Sequence, residues 1–244
     1  MKYLEKAKQK IAWERFYSND FEWNKEQLYI DHVFSEEFLK EFFQKINWRI
    51  LLKYQDIDEN FFVRHKNSFN YISYVYYPAI WETIVHYQTF SEDTLKILYK
   101  ELPWPSVCQY QKLSEDFIRN FICKKLSDNS IGWKELSKYQ KLSENFIRKY
   151  KDKVDWYNIS RFQNLSEAFI KKFDNKMSHL MLLVKYGITN NLSNEYAKTC
   201  MNRFNITMYD IAYEIEKEKD FAKWEATLKS DLDKAKNNPN RIFI

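Results

Sequence analysis

The chain has 244 residues, 45% hydrophobic and 30% charged, which excludes a disordered protein and leaves room for one elongated domain or two compact ones. Only 2 glycines and 4 prolines serve that length, too few for the turns of a sheet-rich fold, so helices with short connections are expected. The formal net charge of +5 permits an acidic partner without demanding one. The 3 cysteines lack CxxC spacing and read as buried thiols in a reducing, cytoplasmic setting, and no window reaches the run of about 18 apolar residues that a membrane span requires.

In chain order, Leu4, Ala7, Ile11 and Ala12 mark an amphipathic helix over residues 3–16, a stretch without the apolar core of a secretory leader. A drifting repeat runs from Trp23 to Phe43, and then a phrase recurs. Trp48 is followed six residues later by Tyr54 and Gln55, Trp81 by Tyr87 and Gln88, and Trp104 by Tyr110 and Gln111. Trp133 is followed in the same way by Tyr139 and Gln140, and Trp156 by Phe162 and Gln163. Four residues past each aromatic stands Asp58, Ser91, Ser114, Ser143 or Ser166, and Ser35 holds the same place in the early copy. Trp81 to Trp104, Trp133 to Trp156 and Trp156 to His179 are each 23 residues, and such self-similarity is the signature of a stacked repeat array.

Each copy reads as two short helices. The first is expected to bury its Trp, the apolar residue at i+3 and the aromatic at i+6. The Ser then caps a second helix, with Glu36, Glu92, Glu115, Glu144 or Glu167 placed next, where the helix dipole favours an anion. Phe117, Phe146 and Phe169 at N3 exclude a capping box, and the second helix is expected to bury Phe117, Ile118 and Phe121, or Phe146, Ile147 and Tyr150. The array is irregular at 62–80, where Pro78 interrupts it, and at 122–132. A worn copy starts at His179 and passes through Tyr186, Ser193 and Tyr196. Residues 207–236 then read as a long charged helix, and Arg241 to Ile244 as either a loose tail or a docked strand. Helices this short cannot bury their faces alone. The expected fold is therefore all-α, an α-solenoid of helix pairs about 23 residues long. Its expected divisions are an N-terminal capping helix at 1–22, the array at 23–204 and a charged capping helix with tail at 205–244.

The WxxIxxYQxLSExFIxxF phrase, spanning residues 23–200, resembles tandem helical repeats of uncharacterised phage, giant-virus and low-GC bacterial proteins. The abundance of Lys, Asn, Ile, Phe and Tyr is the bias of an AT-rich genome, in keeping with that resemblance. No activity comes with it. The origin it implies is that of small phage proteins that inhibit host defences, anti-CRISPR proteins among them.

Among candidate sites, a basic side chain stands five residues past each cap Ser: Lys40, Lys96, Arg119, Arg148 and Lys171, widened by Lys149 and Lys172. Stacked helices would align these into a row able to follow a phosphate backbone. The competing reading pairs each with the Glu four residues before it, for roughly 0.2–0.5 kcal/mol apiece. The repeated tryptophans and tyrosines are expected in the core, and Tyr74, Tyr76 and Tyr77 outside it as exposed anchors of a protein interface. His32, His65, His86 and His179 have no metal or catalytic spacing, and the chain has no phosphate loop or nucleophile elbow, so no enzyme, cofactor or metal is expected. The expected partner is a protein, not a membrane or a small-molecule substrate. Nucleic acid bound by the ladder and self-association are the alternatives.

Overall fold

Two turns is the length of the helix that each Trp opens. In the computed structural model, which describes residues 13–75, 79–127, 131–189, 193–239 and 241–244, these helices are Trp48–Tyr54, Ile80–Tyr87, Trp104–Tyr110, Trp133–Tyr139 and Trp156–Phe162. The second helices are Glu36–Glu41, Glu92–Ile97, Glu144–Lys149 and Glu167–Lys172, with Glu115–Phe117 continued by a π turn over Ile118–Ile122. Each begins at its serine. Ser35, Ser91, Ser114, Ser143 and Ser166 accept through the hydroxyl from the N–H three residues on, at 3.1–3.3 Å, which satisfies one orphan donor of the first turn. Apart from the two-residue strands His32–Val33 and Ile242–Phe243, every regular element among the described residues is helical.

The chain divides into two compact units, residues 1–56 with 232–244, and residues 57–231. In the first, the helices Glu26–Asp31 and Trp48–Tyr54 pack together over an aromatic core in which Trp13, Phe16 and Phe42 surround Phe38 at 4.6–5.1 Å between ring centroids. In the second, each Trp-led helix packs on the next in chain order, from Ile80–Tyr87 to the helix His179–Thr189. The helix Glu59–Val75 replaces a regular pair and is kinked at His65. Met181, Leu183, Val184, Cys200 and Ile211 close the far end, with the helix Asn194–Phe204 and the long helix Met208–Lys236 packed over them. Backbones approach closely: a Cβ on Gly132 would lie 2.6 Å from the Pro105 Cα.

The buried stripe of the first helix is not the expected one. Trp, i+3 and i+4 are turned inward, and the third turn is completed by Gln at i+7 rather than the aromatic at i+6. Gln88, Gln111 and Gln163 are 4% exposed, whereas Tyr110 and Tyr139 are 42% and 44% exposed. The helical period explains the difference, because i+7 lies about 20° from the Trp direction and i+6 about 120° away. Burial of an amide requires partners, and the repeat supplies them. The Oε1 of Gln111 accepts from the Phe90 N–H at 2.9 Å, while its Nε2 donates to the carbonyls of Val85 and Gln88 at 2.6 and 2.7 Å. Gln140 does the same with Leu113, Cys108 and Gln111, and Gln163 with Leu142, Ser137 and Gln140. In the worn copy Tyr186, seven residues past His179, takes the glutamine's place, its hydroxyl accepting from the Leu165 N–H at 2.7 Å.

Candidate functional site

The basic ladder is built on the second helices, and Lys96, Arg119, Arg148 and Lys171 reach a ring of the following repeat. Lys40 pairs with Glu36 at 2.7 Å, Lys171 with Glu167 at 2.6 Å, and Arg119 with Glu115, while Lys96 turns to Asp93 at 2.8 Å. Arg148 has no ion-pair partner among the described residues. Its guanidinium stands over the Phe169 ring of the next repeat at 5.8 Å, as Lys96 stands over Phe117, Arg119 over Phe146 and Lys171 over Tyr196, all at 5.5–5.9 Å. Lys149 lies over the adjacent Tyr150 ring, and Lys172 is exposed. Apart from Lys172, these cations are engaged by carboxylates or by ring faces, though only Arg119 is half-buried and the rest are exposed.

In the second compact unit the glutamate beside each cap meets the capping serine of the following repeat, a partner that sequence spacing alone did not reveal. Glu59 accepts from the N–H and hydroxyl of Ser91 at 2.7 and 2.8 Å, Glu115 from those of Ser143 at 2.6 and 2.9 Å, and Glu167 from those of Ser193 at 3.0 and 3.1 Å. Glu92 and Glu144 accept from the Ser114 and Ser166 N–H groups. The carboxyl of Glu115 is held below its ordinary value. Burial pushes it up, but the Ser143 N–H and hydroxyl and the Arg119 guanidinium together outweigh that effect. Glu167 is lowered by Lys171 first and then by Ser193. The recurrence of Ser-Glu as a pair was the available signal, since a purely local cap needs no fixed Glu.

The aromatics at i+6, expected in the core, instead form a row on the surface of the second compact unit. Tyr87 is half-buried and Tyr110, Tyr139 and Phe162 are exposed, one from each successive Trp-led helix. His86 lies between Tyr87 and Tyr110, its ring 4.3 and 4.2 Å from theirs and within 18° of parallel. Lys138 links the next two, its Nζ donating to the Tyr139 hydroxyl at 2.8 Å and standing 5.5 Å from the Phe162 ring centre. Burial raises the Tyr110 hydroxyl pKa, with the nearby Tyr139, Tyr87 and Glu82 adding to the effect. At the far end Arg161 pairs with Glu218 of the long helix and bonds the hydroxyl of the exposed Tyr157 at 3.1 Å. In the first unit the matching Tyr54 is buried, its hydroxyl on Glu26.

The side chain of Tyr74, and Tyr76 and Tyr77 entirely, lie outside the described residues, as does the amphipathic segment up to residue 12. His179 is buried in the array, bonding Asp174 at 2.9 Å and stacked on Phe204 at 3.8 Å. Its hydrogen bond, with those of Tyr196 and the charge of Arg203, holds the Asp174 carboxyl below its usual range. Burial pushes the Cys108 thiol up to about 12, and Cys123 is half-buried. Among the described residues no group of three His, Cys, Asp or Glu side chains is placed to hold a metal ion, and no helix is long and apolar enough to cross a membrane. Comparison with protein-family models, with curated proteins and with solved structures returned no match to this chain.

Proposed function

We propose that the chain is a non-enzymatic, macromolecule-binding α-solenoid of helix pairs about 23 residues long, and that it binds a protein partner through the row Tyr87, Tyr110, Tyr139 and Phe162. One observation carries the reading: successive repeats leave an aromatic ring exposed at the same position, where a solvated side chain would cost nothing. Tyrosine gives a large, stiff contact area with a polar tip, which suits it to anchor a protein interface. The row's charge is mixed, with Lys138 and Arg161 set against Glu82 and Glu218, and a groove that follows a phosphate backbone would need one sign. The resemblance of the repeat phrase to phage proteins suggests a host-defence complex as the partner.

The test is a pull-down from nuclease-treated lysate with the wild-type chain and with Tyr110→Ser, Tyr139→Ser and Phe162→Ser combined. A stoichiometric protein retained by the wild type is expected to fall away from the triple variant, whose circular dichroism melt stays unchanged. Equal recovery by both would overturn the row as the binding face.

A further inference from the structure

A different surface is filled by the chain itself. In the second compact unit the N–H of every capping serine is taken by a glutamate of the preceding repeat. Ser35, in the first unit, is the earliest capping serine among the described residues, and the acceptor for its N–H is the main-chain oxygen of Ile244, at 2.6 Å. The Ile244 N–H donates to the Val33 carbonyl at 2.7 Å, and Ile242 and Phe243 run parallel to His32 and Val33 in register. Residues 242–244 thus lie along the edge 32–35 as an added strand.

Arg241 fixes that segment in place. One terminal nitrogen of its guanidinium donates to the carbonyls of Tyr29 and His32, both at 2.9 Å. The other donates to those of Tyr54 at 2.8 Å and Lys236 at 3.3 Å. Tyr29, Tyr54 and Lys236 sit in the last turns of their helices, where carbonyls lack intrahelical donors and carry the negative end of the helix dipole. Burial lowers the guanidinium's pKa, and the carboxylates of Asp56 and Asp31 offset part of that effect. Four carbonyls divided between two terminal nitrogens match the fork of arginine and not the single point of a lysine ammonium. Three of the four carbonyls belong to residues 29–54, so most of the pocket is independent of the segment that fills it.

We propose that residues 26–56 form a recognition site for an extended apolar segment led by arginine, held here in cis by residues 241–244 and open in trans to the same segment of a second copy. Exchange is cheap, because the swapped contacts are identical to the internal ones and the pairing is only two residues long. The stretch before Arg241 in sequence, Asn237-Asn238-Pro239-Asn240, is short and polar.

The probe is a fluorescent peptide of residues 237–244, titrated by anisotropy against the full chain carrying Arg241→Ala. Saturable one-to-one binding is expected, weakened about tenfold when the peptide's arginine is replaced by lysine, and weaker again on the wild-type chain, whose own segment competes. Failure to bind a chain that keeps its helical melt, or equal binding of the arginine and lysine peptides, would overturn the site. If Arg241→Ala does not fold, a wild-type chain with a protease site inserted between Asn238 and Pro239 replaces it. After cleavage the bound segment should exchange for the labelled peptide, and no exchange counts against the site. Light scattering separates the source: a dimer that grows with concentration in the wild type and not in Arg241→Ala supports reciprocal exchange, whereas a wild type that stays monomeric overturns the second copy as occupant.

Discussion

At the scale of single residues, the costliest group in each repeat is the amide of the YQ pair. Gln140 is 6% exposed and holds three main-chain groups of the preceding repeat, the Leu113 N–H and the Cys108 and Gln111 carbonyls. Gln140→Leu keeps much of the volume and orphans all three. Each buried group left without a partner costs roughly 1–3 kcal/mol, and partial relaxation brings the expected loss to about 3 kcal/mol. Its neighbour Tyr139 is exposed, so Tyr139→Ser should change stability by only about 0.5 kcal/mol. Urea unfolding of the two variants checks this directly. Equal losses would mean that the tyrosine is as structural a member of the pair as the glutamine.

At the scale of elements, what could be read from the chain was what is local. A cap is decided within four residues, so Ser35, Ser91, Ser114, Ser143 and Ser166 were legible as helix starts, and each is one. The partner of each cap glutamate lies 22–32 residues away and was not legible from spacing alone. Nor was the register of the YQ pair, because hydrophobicity assigns the inside to tyrosine until the amide's partners in the preceding repeat are known. The docked strand at 242–243 was left open for the same reason, its partner at 32–33 being almost the whole chain away. The glutamate ladder also has a pH signature. Glu115 and Glu167 sit below the ordinary 4.5 when folded. A depressed carboxylate contributes stability above its unfolded pKa and loses it as pH falls through the folded value. Glu115→Gln combined with Glu167→Gln should therefore be less stable than wild type at neutral pH. As the pH drops below 4.5 the gap should close, because the wild-type carboxyls become protonated and resemble the amides. Thermal melts across an acid series would show it, and a gap independent of pH would mean the ladder owes nothing to charge.

At the scale of the whole molecule, the question is what the excess of 39 basic over 34 acidic side chains is for. A nucleic-acid binder would leave its cations free to replace counterions, and each phosphate contact would steepen the fall of affinity with salt by about 0.9 in the log–log slope. Here most of the repeated cations are exposed at the surface, yet Lys40, Lys96, Arg119 and Lys171 pair with carboxylates, and Lys96, Arg119, Arg148 and Lys171 stand over a ring of the next repeat. If the aromatic row is the binding face, reversing two of these cations is expected to disturb packing and to leave binding intact. In Arg119→Glu with Arg148→Glu, one new carboxylate meets Glu115 and both stand over the Phe146 and Phe169 faces. Lost cation–ring contact and like-charge repulsion together should cost about 2 kcal/mol. For a chain of this size that is a fall of about 4–8 °C in Tm. Nucleic-acid affinity, measured by salt titration of a fluorescent single strand, should be weak and nearly salt-independent before and after the change, and capture of a protein partner should survive it. A steep salt slope in the wild type that vanishes in the double variant, with Tm unmoved, would reverse the assignment. The ladder would then be the interface, and the exposed aromatic row would need another explanation.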